Sequence, residues 1–520
     1  MNEPLKPRRH LPLGVQTFAK IRSGDFYYVD KTEIAARLIE NGSHYFLSRP
    51  RRFGKSLFID TLKELFEGNE ALFRGLHIHD KWDWAIKYPV LRFSFGGGVL
   101  RSREELNQSV HQQLTQLEQD AGWQAHYPDV RSRFKDLIIH RYRQTGQRVV
   151  VLVDEYDKPI LDCLDRPESA RDMREGLKDL YSVIKDSDAS IRFAFLTGVS
   201  KFSKVSLFSG LNNLDDITLD REYGSICGYT ERDLDEVFAP ELDGLDRAEI
   251  RRWYNGYNWL GEPVYNPFGL LMLFRKREFG AWWFETGTPS FLIALLMDRQ
   301  ISIPQLSELT SDSELLSAFD IDHIQTEALL FQTGYLTIGR VEKLGDENYF
   351  ALRYPNREVE QSLNRSLLAV LTNHSPMQVQ NRIALYRHLM AGDIGALRVL
   401  FHALFAGIPH DWYRKNRLAG YEGYYASIFY CYFAALGLDL AVEDTTSLGR
   451  IDLRLRLPGR IILFEFKVVE MEPEGAALAQ LQAKRYADKY RAEGVPIALV
   501  GVEFSRESRN IVAFETMEAR

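Results

Sequence analysis

Residues 46–58 read Phe46-Leu-Ser-Arg-Pro-Arg-Arg-Phe-Gly-Lys-Ser-Leu-Phe58, and their reading decides the fold. Gly54-Lys55-Ser56 is the end of a phosphate-binding loop, whose full pattern is G-x-x-x-x-G-K-[ST]. Arg49 stands where that pattern has its first glycine. A basic surface turn that happens to contain Gly-Lys-Ser fits the stretch alone equally well. The flanks discriminate. Residues 44–48 (HYFLS) suit a short strand, and LFIDTLKELFEG places apolar residues at helical spacing. A strand, a loop and a helix N-terminus together supply backbone N–H groups and a cation, which is what a phosphate needs.

Further along, VVVLVDEYD at 149–157 is a continuous apolar run ending in acids, as a buried parallel strand would. Asp154 and Glu155 then stand as a Walker-B pair. Asp154 belongs to the magnesium shell with Ser56, Lys55 reaches the phosphates, and Glu155 polarises the attacking water. Strands are also expected at 89–95 and 191–197, with helices near 102–120, 130–145 and 168–186. Alternation of this kind gives a parallel α/β sheet. The last strand ends at Thr197, where a polar group can sense the γ-phosphate, with Ser200 and Lys201 beyond it. Arg51 and Arg52 can grip phosphate oxygens. Arg49, lacking glycine's freedom, must take an ordinary φ.

The chain has 520 residues and a net charge of −7, so bulk electrostatic attraction to nucleic acid is not expected. Cys163, Cys227 and Cys431 lie far apart, which suits neither a disulfide framework nor a zinc site. MNEPLKPRRHLPLG lacks a secretion-type apolar stretch, and no apolar run reaches membrane-spanning length. A cytoplasmic protein with no membrane partner is the expectation. Three regions are expected: residues 1–230 as the nucleotide domain, 231–415 as a helical lid or connector, and 416–520 as a second α/β unit.

The second chemical cluster lies in GRIDLRLRLPGRIILFEFKV, residues 449–468. Glu465 and Lys467 are two apart and so share a face of a strand. Pro458-Gly459 marks a turn. A symmetric hairpin about it pairs 457 with 460 and therefore Asp452 with Glu465; a bulged turn would shift that register by one. Like charges directly opposite are destabilising, and a divalent metal removes the penalty. Lys467 can then position the water. On spacing alone, an exposed strand face laced with salt bridges fits as well.

The chain resembles the predicted AAA-like ATPases that carry a C-terminal nuclease-like domain. The resemblance rests on LPLGVQTFAKIRSGDFYYVDKT, SRPRRFGKSL, VLVDEYDKP, LTGVSKFSKVSLFSGLNNLDDITL, GYT, WYNGY, VYNP and TGTP. In that family RPRRFGKS is the usual loop, so Arg49 is a family trait. The resemblance implies an additional-strand P-loop (AAA/ASCE-like) parallel sheet with the sensor strand between the Walker strands. It also implies that Tyr28 to Thr32 lie near the nucleotide, although a buried capping turn explains those residues too. The C-terminal stretch looks like an αβββαβ PD-(D/E)XK nuclease, with Asp452, Glu465 and Lys467 as the D…E-x-K set. Glu422 matches an acidic helper position and Gln480 the glutamine on the following helix, with Tyr486 a helical face away. Lys484, Arg485, Lys489 and Arg491 suit a nucleic-acid backbone or a solvated helix face. The implied activity is an ATPase using ATP and Mg²⁺, coupled to a nuclease using Mg²⁺ or Mn²⁺ at Asp452 and Glu465. Its substrate is nucleic acid, DNA in preference to RNA, with defence or mobile-element biology as the setting. An ATP-controlled binding protein whose nuclease-like domain does not cleave is the alternative. AAA-like domains often form rings, so a homo-oligomer stays open.

Overall fold

A computed structural model describes residues 7–519 except 202–212, 285–291, 294, 297–298, 300–302, 313–315, 317–324, 373–377 and 409–421. The TGTP stretch and much of the segment after Lys201 lie outside the described residues. The chain forms two compact units, one of residues 1–286 with 310–356, the other of 287–309 with 357–520.

The first unit is built on a five-stranded parallel sheet. Its strands are β1 (His44–Ser48), β2 (Val90–Ser94), β3 (Val149–Asp154), β4 (Ile191–Gly198) and β5 (Asp215–Asp216), in the order β2-β3-β4-β1-β5. β1 and β3 are buried at every position, because helices cover both faces. β4 lies between β1 and β3, the additional-strand order the resemblance implies. The carboxyl ends of all three strands therefore open onto one edge, where α/β sheets bind ligands. Helices fall close to their expected spans: Lys55–Phe66, Arg103–Asp120, Val130–Thr145 and Pro167–Asp186. Ser102 and Asp129 cap two of them by accepting from Glu105 N and Ser132 N.

Beyond the sheet, the family stretches GYT, WYNGY and VYNP converge on one acid. Glu231 accepts from Arg247 (2.6 Å), Arg251 (2.8 Å), Asn255 (3.0 Å) and Tyr265 (2.7 Å). Burial alone would raise the Glu231 carboxyl. Hydrogen bonds from Arg251 and Tyr265, with the charges of Arg247 and Arg251, outweigh burial and hold it down at about 2. Within this helical middle stands a three-stranded antiparallel sheet that the sequence reading did not place. Its strands are β6 (Thr310–Asp312), β7 (Thr337–Leu344) and β8 (Glu347–Arg353), ordered β6-β8-β7. β7 is largely exposed, so it carries little apolar alternation to read.

The second unit packs the helices Arg357–Leu371 and Glu422–Ala435 against each other and sets the latter on a mixed sheet. The strands are β9 (Asp439–Thr446), β10 (Gly449–Leu457), β11 (Arg460–Val469), β12 (Ile497–Ser505) and β13 (Ile511–Ala519), in the order β13-β12-β11-β10-β9. β9, β10 and β11 form an antiparallel meander. β12 joins β11 in parallel after a crossover through the helix Ala476–Ala483. β13 adds an antiparallel edge to the expected αβββαβ order. Phe429 and Phe433 pack in tilted contact with Phe466 and Phe464, at centroid distances of 5.1 and 5.5 Å. Among the described residues no helix is long and apolar enough to cross a membrane. All three cysteines are buried and unbridged.

Candidate functional sites

β1 hands over to the loop Arg49–Gly54, and the helix begins at Lys55. Two loop residues take the left-handed conformation, Arg52 (φ 62°) and Gly54 (φ 96°). Arg49 does not, and it faces inward. It is 0% exposed. Its guanidinium donates to the carbonyls of Ser48 (2.8 Å), Thr218 (2.9 Å) and Tyr223 (3.2 Å) and lies 4.2 Å from the Trp259 ring. Burial pushes it down to about 10, so it remains a cation at neutral pH. Arg49 is thus a brace joining the loop to residues 218–223, with its guanidinium on backbone carbonyls. Phe53 pins the far end, edge-on to Tyr257 and Trp259 at 4.7 and 5.4 Å.

Arg51 and Arg52 are exposed and line a cleft of about 560 Å³ with Gly54, Lys55, Ser56, Glu155 and Asp157. Arg52 lies over Phe268, which shares the lining with Leu271 and with Pro12, Val15 and Gln16 of the LPLGVQTF stretch. The lining thus combines cationic and apolar groups, as a nucleotide site does. Lys55 is buried and donates to the carbonyls of Arg49 and Pro50, both at 2.9 Å. Burial lowers its pKa, and Asp154 is the first charge opposing the shift. Asp154 is 3% exposed, and its Oδ1 is a buried acceptor with no hydrogen-bond donor among the described residues. That acceptor, with the Ser56 hydroxyl in the cleft, fits the outer shell of a nucleotide-bound Mg²⁺. Glu155 takes φ 54°, and burial raises its pKa against the pull of Lys55.

Thr197 is fully buried, donates to Leu47 O (2.8 Å) and is not among the residues lining the cleft. Lys201 forms an ion pair with Asp216. The polar group that reaches the cleft from this corner is Asp157, which the sequence reading passed over inside VDEYDKP. Asp157 is buried and accepts from Val199 N (3.0 Å) and from both N and Oγ of Ser200 (2.6 Å each). Burial raises its carboxyl. Gly198 is required here, because a Cβ would run into the Asp157 carboxylate and stand 2.6 Å from Tyr156 Cδ1. In the Tyr28–Thr32 segment Asp30 accepts from Thr32 N (2.8 Å) and His77 N (2.7 Å), the capping-turn alternative.

In the second unit the Pro458-Gly459 turn gives the expected register, Leu457 opposite Arg460 through Leu453 opposite Phe464. The ladder stops there, one rung short of the expected Asp452–Glu465 pair. The Asp452 carboxylate instead accepts from Phe466 N (2.8 Å), taking the place of a strand carbonyl. Glu465 is 0% exposed. Its Oε1 accepts from Lys467 Nζ (3.2 Å) and from Gln480 Nε2. Burial raises the Tyr486 hydroxyl, and the Glu465 charge raises it further; Asp452 and Lys467 also act on it. The structure thus brings Asp452, Glu465, Lys467, Gln480 and Tyr486 together. Two carboxylates and one ammonium leave a net negative charge in a mostly buried spot, and hard oxygen donors there fit Mg²⁺ or Mn²⁺. Among the described residues no group of three His, Cys, Asp or Glu forms a ready metal cage.

Glu422 opens the Glu422–Ala435 helix, but its side chain is outside the described residues. Arg485 and Arg491 pair with Asp488, and Lys489 with Asp444, as a solvated face does. Sequence reasoning missed Glu503, buried on β12, which accepts from Glu474 N (2.7 Å), Gly475 N (3.1 Å) and Ala477 N (3.2 Å). It anchors the start of the helix that carries Gln480.

A family model described as a predicted AAA-ATPase matches residues 12–208, and one described as the PD-(D/E)XK nuclease superfamily matches residues 420–514. A protein of Azotobacter chroococcum mcd 1, described as an uncharacterized protein in the vnfD 5'region, is 61% identical over 508 residues, 98% of each chain. With β4 between β1 and β3 in one unit and Asp452, Glu465 and Lys467 gathered on the meander of the other, the chain belongs to the predicted AAA-ATPase family and carries a PD-(D/E)XK nuclease superfamily domain.

Proposed function

We propose that this chain binds and hydrolyses ATP in its first unit and cuts nucleic acid in its second. The observation that carries the first half is the cleft in which Lys55, Ser56 and Glu155 face one volume beside the buried acceptor of Asp154. Lys55 neutralises phosphate charge, Arg51 and Arg52 reach phosphate oxygens from the rim, and Glu155 orients the attacking water. Mg²⁺, when bound, adds charge stabilisation on the phosphates. We read Thr197 as acting through β1, and Asp157 as the group that holds the corner after β4.

In the second unit Glu465 and Asp452 supply the metal-binding oxygens, Gln480 fixes the Glu465 carboxylate, and Lys467 positions the nucleophilic water. A metal held by these oxygens would supply Lewis-acid polarisation of the scissile phosphate. DNA is the preferred substrate by analogy with the superfamily alone. Defence against foreign DNA and mobile-element biology fit the pairing of domains. Buried, unbridged thiols suit a cytoplasmic setting. The second reading is an ATP-controlled binding protein whose nuclease-like domain does not cleave.

The test is a cleavage assay on plasmid and single-stranded DNA, with and without ATP and Mn²⁺. It compares wild type, Lys55→Ala, Asp452→Ala and Lys467→Ala. Metal-dependent cutting lost in Asp452→Ala supports the nuclease reading. Binding without cutting under every condition selects the second reading.

A further inference from the structure

Between Glu360 and Asp393 the sequence holds no Asp or Glu, although the chain as a whole is acidic. Three arginines from this stretch, Arg365, Arg382 and Arg387, line one open cavity of about 320 Å³ in the second unit. None of the three has an acidic partner among the described residues. Arg365 uses its Nε on the carbonyl of Ala435 (3.3 Å), which leaves its two terminal nitrogens for other acceptors. Arg382 and Arg387 stand on the helix Gln378–Ala391, which has no acid of its own. Like charges are thus gathered where ordinary surface arginines pair or spread apart. Arg365 is held below its usual range, first by burial and then by the charge of Arg382.

The same helix face is not polar. Val379, Ile383 and Tyr386 share the cavity lining and are 56%, 48% and 47% exposed. Arg382 with Tyr386, and Ile383 with Arg387, are four apart, so cation and apolar surface alternate along one face. Unpaired guanidiniums call for a polyanion. An exposed ring among them calls for a flat partner, and a nucleic-acid strand offers both. A free phosphate uses the cations but leaves the ring unexplained.

We propose that this cavity binds a single nucleic-acid strand, with Arg365, Arg382 and Arg387 on backbone phosphates and Tyr386 stacked on a base. The inference rests on the reading that the second unit acts on nucleic acid. None of these residues belongs to the Asp452–Glu465 cluster. The contact is indifferent to sequence, because phosphates and ring faces are common to all bases.

The experiment is fluorescence anisotropy of a labelled single-stranded DNA oligonucleotide with the full chain in EDTA, across a salt series. Arg382→Ala with Arg387→Ala is expected to weaken binding about tenfold and to reduce the slope of log affinity against log salt by about 1.4, two single-strand phosphate contacts. Tyr386→Ala is expected to weaken it about fivefold, with little change of slope. Far-UV circular dichroism checks folding, and the single exposed Arg387→Gln carries the test if the double variant is unstable. Wild-type binding with unchanged affinity and slope in every variant overturns the cavity and leaves the nucleic-acid reading standing. A wild type that binds no strand at any salt overturns both. Inorganic pyrophosphate that displaces the strand at equimolar amounts makes the cavity a small-anion site and overturns the strand.

Discussion

Replacing Arg49 by the glycine of the standard phosphate loop is expected to damage this protein, and the structure sets the size of the damage. The guanidinium is fully buried, donates to two carbonyls distant in sequence, those of Thr218 and Tyr223, and stacks on Trp259. A hydrogen bond from a charged donor contributes about 1.5–3 kcal/mol. A desolvated cation on an indole adds about 2 kcal/mol. The gross total is about 5–8 kcal/mol, against a cost of several kcal/mol for holding a cation in the interior. Glycine leaves the carbonyls without donors, opens a void beside Trp259 and loosens the unfolded chain by about 1 kcal/mol. A net loss of about 3–5 kcal/mol follows, a fall of about 4–7 °C in the unfolding temperature of a unit of this size. Differential scanning fluorimetry without nucleotide measures it. Arg51→Ala and Arg52→Ala, both exposed, are the contrast: unfolding within about 0.5 kcal/mol of wild type, with weaker ATP binding by calorimetry. If Arg49→Gly melts with wild type while its ATP affinity collapses, the brace is wrong and Arg49 is a phosphate ligand.

Acid should loosen the hydrogen-bond network around Glu231. Its folded pKa of about 2 lies below the unfolded value near 4.5, so the contribution is complete above pH 4.5 and is lost as pH falls toward 2. Because Glu231 is about a third exposed, we expect about 1–2 kcal/mol after screening, read as a smaller acid-induced drop in melting temperature for Glu231→Gln. Gly198→Ala should displace Asp157 and cut ATP turnover at least tenfold with the sheet intact; turnover within twofold of wild type would falsify that corner's role. Gln480→Ala should reduce metal-dependent cleavage about 10–100-fold and raise the metal concentration needed for half-maximal rate, because Glu465 loses the amide that orients it. An unchanged metal requirement would count against that orientation.

The legible parts of this fold are those fixed by local periodicity. VVVLV reads as a strand covered on both faces, and the symmetric hairpin about Pro458-Gly459 has the register found between residues 453 and 464. What escaped depends on partners far away in the chain. Arg49 carries a residue type that is almost always exposed, and its carbonyl partners lie some 170 positions downstream. GYT, WYNGY and VYNP were visible as motifs, yet the acid they meet on, Glu231, has no local mark that separates it from any helix-start glutamate. Asp452 shows the same limit in small. Counting residues gave its register, but the point where β10 leaves the ladder and a carboxylate replaces a carbonyl is a backbone event that no spacing encodes.

The Arg49 brace also bears on how the loop must work. Lys55 is parked on the carbonyls of Arg49 and Pro50, so on the proposed ATP-binding reading a phosphate has to draw the amine away from both. The exchange is favourable, since an ammonium–phosphate bond is charge-assisted on both sides and an ammonium–carbonyl bond is not. The two carbonyls left behind cannot both follow the lysine. That of Arg49 belongs to a residue whose side chain is fastened to Thr218, Tyr223 and Trp259. Movement is therefore confined to the other half of the loop, where Arg51 and Arg52 are exposed and Arg52 already sits at positive φ. A glycine at position 49 would let the whole loop breathe. Arginine there holds the strand end rigid and, on the proposed ATP-binding reading, leaves the two rim arginines as the part that would close on the phosphates.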